Sequence, residues 1–146
     1  MTKLHYLHDQ NDEQQVFNEI ALIAKIGMED KGYANLTKYI AQALDYLEYI
    51  GVPDKKILPF VTENEDGQLL TFATIVKELK YHPPLLEFRV NWRGTGYFRA
   101  IFFCVEKNGE QNIYFTKAIL KQEPNPPKFT FLATESEKML KEFNKT

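Results

Sequence analysis

One cysteine, Cys104, in 146 residues excludes an internal disulfide and suits a reducing compartment. No run approaches the ~18 consecutive apolar residues that a membrane-spanning helix needs. The opening stretch, MTKLHYLHDQNDEQQ, carries acids where a secretory leader carries an apolar segment. These absences predict a cytoplasmic protein with no membrane partner. Also missing are HExxH, a glycine-rich phosphate loop ending in Lys-Ser/Thr, GxSxG and CxxC, so the common zinc, nucleotide and serine-hydrolase sites are not expected. His5, His8 and His82 form no metal constellation. The first two share a helical spacing, but in an N-terminal stretch that reads as mobile. No metal or other cofactor is expected. Cys104 has no histidine near it in sequence to activate a thiolate and reads as a packing residue.

The chain does have the means to build a core, being 44% hydrophobic and 14% aromatic, and its length fits a single domain spanning residues 1–146. Its net charge of −2 hides an asymmetry. Met1 to Val76 has 6 Lys and Arg against 12 Asp and Glu, whereas Lys77 to Lys128 has 9 against 5. A basic segment on an acidic chain suits an anionic partner engaged at one face, and is too weak for charge-driven binding to free nucleic acid.

All three arginines fall in one stretch, LLEFRVNWRGTGYFRAIFFCV, from Leu85 to Val105. Alternation puts Leu86, Phe88, Val90 and Trp92 on one side of a strand and Glu87, Arg89, Asn91 and Arg93 on the other. A three-residue loop at Gly94, Thr95 and Gly96 would pair Trp92 with Phe98, Val90 with Ala100 and Phe88 with Phe102, giving one wholly apolar face. The opposite face then gathers Arg89, Asn91, Arg93, Tyr97 and Arg99. A two-residue loop would place Arg99 among apolar partners, where an unpaired guanidinium is costly. Asn108-Gly109 is a strong tight-turn signal. It predicts a third strand, Gln111 to Ala118, with Ile113 opposite Cys104, Phe115 opposite Phe102, and Tyr114 and Thr116 on the cationic face. The same parity points Lys117 to the apolar side unless it reaches past the strand end or a bulge near Thr116 turns it.

Around this sheet, helical spacing predicts one helix from about Asp12 to Met28, capped by Asp12, and another from Ala34 to Ile50, together a hairpin covering the apolar face. Pro53 to Gly67 reads as a loop, and Gln68 to Leu79 as a short helix or extended connector. Thr134 to Phe143 reads as a short C-terminal helix, with Thr134 as cap and Glu137 as capping-box partner. The expected fold is therefore α+β: an N-terminal helical hairpin on a three-stranded antiparallel sheet with a short C-terminal helix.

Arginines at alternate positions beside a tyrosine can bind a phosphodiester and stabilise charge developing on phosphorus without a metal. RNA cleavage then needs an aligned 2′-hydroxyl and groups to move two protons, for which Lys117, Lys121 and Tyr97 are candidates. The structural alternative pairs Arg89 and Arg99 with Glu87, Glu106 or a C-terminal carboxylate, holding the sheet to the last helix.

A helix pair ending ALDYLEYIG, then LLEFR, YFRAIFF and YFTKA, then a proline-bearing loop and a charged terminal helix, resembles the RelE/ParE toxin superfamily, in its HigB-like, phage-derived branch. The resemblance implies the toxin of a type II toxin-antitoxin pair. Such a toxin is a metal-free endoribonuclease (mRNA interferase) that cuts ribosome-bound mRNA and is held inactive by a cognate, helix-turn-helix antitoxin. It assigns Arg89 and Arg99 as phosphate-binding and transition-state cations and Lys117 as a basic residue at the strand end, with Lys121 corresponding more loosely. The cationic-face argument adds Tyr97 to the catalytic set, and Arg93 and Asn91, with Lys121, to the RNA-binding set. Ala118 stands where the branch has a second lysine. The alternative is a non-catalytic protein of the same fold, a gyrase-inhibitor-like or phage accessory protein.

Overall fold

In a computed structural model covering residues 1–146, ten elements follow in order: β1 (Thr2–Tyr6), α1 (Gln15–Ile26), α2 (Lys31–Ile50), β2 (Phe60–Glu63), β3 (Leu69–Phe72), β4 (Val76–Glu78), β5 (Leu86–Trp92), β6 (Gly96–Lys107), β7 (Glu110–Lys121) and α3 (Pro127–Asn144). The class is α+β, with a mixed five-stranded sheet ordered β1-β7-β6-β5-β4 and a separate β2-β3 ribbon in place of the expected three strands.

The centre of the sheet follows the sequence. Asn108 and Gly109 take φ of 55° and 76° and close the tight turn between β6 and β7, setting Ile113 opposite Cys104 and Phe115 opposite Phe102. A bulge lies near Thr116: the register shifts between Ala100 and Phe102, opposite Ala118 and Phe115, and the extra residue falls at Thr116-Lys117. The β5-β6 loop also has three residues, but they are Arg93, Gly94 and Thr95, so Trp92 pairs with Gly96 and Val90 with Phe98. That displaces the expected register by two, which keeps every side chain on its expected face. Gly96 belongs in the strand because a Cβ there would lie 2.8 Å from Leu120 Cδ1, and its φ of 155° disfavours any other residue.

One face of the sheet packs under α1 and α2 with the β2-β3 ribbon. Its core of 20 buried residues includes Phe88, Phe98, Phe102 and Phe115, each worth about 1.5–3 kcal/mol in burial. Cys104 packs against this core, and burial pushes its thiol up to about 11, as suits a packing residue. On the second face α3 covers a smaller core of Leu79, Leu85, Ile101, Phe103, Ile119, Leu132 and Ala133.

Several local expectations are corrected. The N-terminus is the ordered edge strand β1, parallel to β7, because Leu4 and Tyr6 alternate onto the main core while His5 stacks on Tyr114 at 4.5 Å. His5 and His8 therefore lie on a strand and its exit. The caps differ too: α1 starts at Gln15 rather than at Asp12, whose φ of 57° places it in a turn, and α2 starts at Lys31 because Asp30 accepts from the Tyr33 N–H. The stretch read as loop contains β2, and of the two readings of the connector the extended one fits, since it holds β3 and β4. Finally, α3 is an 18-residue helix opened by Pro127 at its first position. Thr134 lies inside it with its hydroxyl donating to the Thr130 carbonyl, and Glu137 binds His82 at 2.9 Å. No helix is long and apolar enough to cross a membrane.

Candidate functional site

The second face changes character along its length. Towards the β6-β7 turn it is apolar and lies under α3, where Phe143 meets Phe103 and Tyr114 at 5.2 and 4.6 Å. Towards the β5-β6 loop it is cationic. Strand pairing sets Arg89 opposite Arg99, Asn91 opposite Tyr97, Tyr97 opposite Lys121 and Lys77 opposite Glu87. One end of the sheet thus collects Lys77, Arg89, Arg99 and Lys121, with Arg93 at the loop and Glu87 as the single carboxylate among the paired positions. Like charges directly opposite repel, so holding Arg89 across from Arg99 has a cost that a stability-only design would avoid.

Arg99 is the buried member of this group. Its Nε sits 2.9 Å from Glu87 Oε2, and one terminal nitrogen donates to Asn91 Oδ1 at 2.7 Å and to the Phe98 carbonyl at 2.8 Å. The side chains of Arg99 and Glu87 are only 6% and 11% exposed. The Nε–H points off the axis to Glu87 Oε2, which consequently has charge compensation but no aligned hydrogen bond. Burial pulls the guanidinium down to about 10, with Glu87 opposing and Arg89 assisting, and it stays charged at neutral pH. The Glu87 pairing of the structural alternative therefore holds for this one arginine, although every partner lies in β5 or β6 and none in α3. Arg99 braces the face from within.

Arg89, Arg93, Lys77 and Lys121 form no ion pair. Arg89 is half-buried, Arg93, Asn91, Lys77 and Tyr97 are exposed, and the half-buried Lys121 ammonium lies 5.1 Å from the centre of the Phe129 ring at the start of α3. Burial lowers the Lys121 pKa, and the neighbouring Arg99, Arg89 and Lys77 charges lower it further against the pull of Glu87.

Lys117 is not brought to this cluster. The bulge turns it towards α3 and the loop after β1, where Nζ binds Asp9 Oδ2 at 2.8 Å in a largely buried pair. Burial alone would raise the Asp9 pKa, but Lys117 and the N–H groups of Asn11 and Glu13 outweigh it and hold the carboxyl below its usual value. The sequence-derived set thus divides: Arg89, Arg93, Asn91, Tyr97, Arg99 and Lys121 share one end of the face, and Lys117 serves a structural pair. Sequence reasoning missed Lys77. Alternation around Val76 carried the signal, since it places Lys77 on the face shared by Glu87 once β4 is known to pair with β5. No three His, Cys, Asp or Glu side chains converge into a metal-ligand set.

A comparison with protein-family models, curated proteins and solved structures finds no match to this chain. Fold and site therefore define the class by themselves: an α+β domain carrying a cationic sheet end.

Proposed function

We propose that the chain is a RelE/ParE-type toxin whose cationic sheet end grips the backbone of ribosome-bound mRNA and cuts it without a metal, under control of a cognate antitoxin. The observation that carries the reading is the convergence of unpaired Lys77, Arg89, Arg93 and Lys121 around an Arg99 that already consumes the only nearby carboxylate. Positive charge held in place with nothing to neutralise it suits a polyanion. In this reading Arg89 and Arg93 bind phosphate oxygens, and Lys121, its pKa lowered, takes the proton of the attacking 2′-hydroxyl. Tyr97, on the neighbouring strand, returns a proton to the departing 5′-oxygen. Arg99 acts through Asn91 and Glu87 as a positioning residue.

The burial of Arg99 favours a second reading, because a transition-state cation must reach the phosphate: a non-catalytic, gyrase-inhibitor-like or phage accessory protein on the same fold. Inducing wild-type protein and Arg89→Ala without antitoxin, followed by primer extension on cellular messengers, separates the two. Messenger cuts in phase with codons, lost in Arg89→Ala, support the nuclease. Growth arrest with intact messengers and linearised plasmid supports the binding protein, and equal arrest by both proteins removes Arg89 from the site.

A further inference from the structure

The sheet ends on the Arg89 side in an unfinished edge. β4 pairs with β5 only from Val76 to Glu78, opposite Leu86 to Phe88, and the last bond on that side runs from the Arg89 N–H to the Ile75 carbonyl at 2.9 Å. β5 continues to Trp92 with β6 on its other side. Because Arg89 directs its N–H outwards, alternation also turns the N–H and C=O of Asn91 outwards, where no strand meets them. An unpaired edge is normally blunted or covered. Here it opens into a groove of about 610 Å³ walled by Ile57, Leu70 and Phe72 on one side and by Lys77, Arg89 and Arg93 on the other, and no carboxylate lines it.

We infer that this groove binds an extended, acidic segment of a partner protein, which adds to β5 as a short strand along Arg89 to Arg93. The pleat dictates the sequence of that segment. Side chains of an added strand alternate between the two faces of the sheet. One set meets Trp92, Leu70 and Phe72, and the next set meets Lys77, Arg89 and Arg93. The fitting ligand therefore alternates apolar and acidic residues, and its backbone bonds to the Asn91 N–H and C=O. A nucleic acid would satisfy the cations and stack bases on the apolar wall, but it has no regular alternation of N–H and C=O to continue the open edge of β5. The inference is independent of the nuclease reading, although both use Arg89 and occupancy of the groove would oppose RNA binding there.

The test uses the intact chain and fluorescein-labelled peptides followed by anisotropy. A short peptide alternating valine and aspartate is compared with one of the same composition in two blocks, with an alternating peptide N-methylated at the amide that would donate to the Asn91 carbonyl, and with oligouridylate. The alternating peptide is expected to bind about tenfold or more tightly than either altered peptide, and Arg89→Gln/Arg93→Gln to abolish the binding while the far-ultraviolet spectrum is unchanged. Equal binding of alternating and block peptides overturns strand addition, as does indifference to N-methylation. Binding of oligouridylate alone assigns the groove to nucleic acid and also overturns it. Primer extension on the unliganded protein reads messenger cleavage separately, so failure of strand addition and failure of the nuclease reading are distinguishable.

Discussion

Replacing Arg99 with methionine separates bracing from chemistry. The guanidinium is 6% exposed and is the charge partner of Glu87, itself 11% exposed, so its removal leaves a carboxylate buried beside Arg89 but without its nearest countercharge. Breaking a buried pair in this way costs about 3–5 kcal/mol. That is a large part of the ~5–15 kcal/mol holding a domain of this size together. The penalty comes from the orphaned carboxylate, so a second substitution should relieve it: Arg99→Met with Glu87→Leu removes both charges and should fall within about 1–2 kcal/mol of wild type, or above it. Urea unfolding of wild type, both single variants and the double variant gives the coupling directly. A loss below about 1 kcal/mol in Arg99→Met, or additivity of the two singles in the double, would refute the assignment of Arg99 as an internal brace. It would return Arg99 to the exposed, RNA-facing role its sequence context suggested.

The remaining predictions concern sites with separate physics. Arg89→Ala should change stability by no more than about 0.5–1 kcal/mol in urea, since Arg89 forms no ion pair, while abolishing growth arrest. The rate of messenger cleavage should rise with pH through the lowered Lys121 pKa, because a proton acceptor works in its neutral form. Lys121→Arg should flatten that rise while RNA binding persists. Asp9 has a folded pKa below 3.8, so the folded state binds its proton less readily than the unfolded chain does. Its stabilisation is fully present above about pH 5 and is lost as pH falls through the depressed value, and Asp9→Asn should lose part of the acid dependence of Tm between those limits. Gly96→Ala should destabilise by roughly 2 kcal/mol or more, since its Cβ would meet both Leu120 and the Lys121 carbonyl at strained φ, as thermal unfolding will show.

What could be read from the chain was parity. Side-chain alternation along β5, β6 and β7 and the Asn-Gly turn placed Phe88, Phe98, Phe102 and Phe115 on one face and Arg89 and Arg99 on the other, although the β5-β6 loop begins one residue earlier than alternation suggests. Strand count could not be read the same way. β1 and β4 are five and three residues long, and each becomes a strand through pairing with a distant partner rather than through its own pattern. The α3 boundary was missed because Pro127 was counted with the proline-rich loop, although proline is favoured at a helix start. The fate of Arg99 was undetermined for a related reason: Glu87 and Asn91 are both on its face in any register of this parity. That it turns inward to both, and does not face solvent, depends on how the strands align and on what α3 covers.

That last dependence explains why the cationic end exists at all. β6 and β7 are each 12 residues, about 40 Å of strand, whereas the 18 residues of α3 span about 27 Å. One helix cannot cap the whole second face. The sequence places Ile101, Phe103, Tyr114 and Ile119 where α3 lies, and turns to Tyr97, Arg99 and Lys121 where its cover gives out beyond Phe129. Solvation alone would require polar residues there, but it would be met equally by a mixture of lysine and glutamate, which would also stabilise the surface. The chain instead carries one sign of charge, spends its single local carboxylate on the one arginine that is buried, and leaves the others free. An arrangement that forgoes inexpensive local pairing is maintained against its own repulsion, and such a surface is best accounted for by a ligand that supplies the missing negative charge.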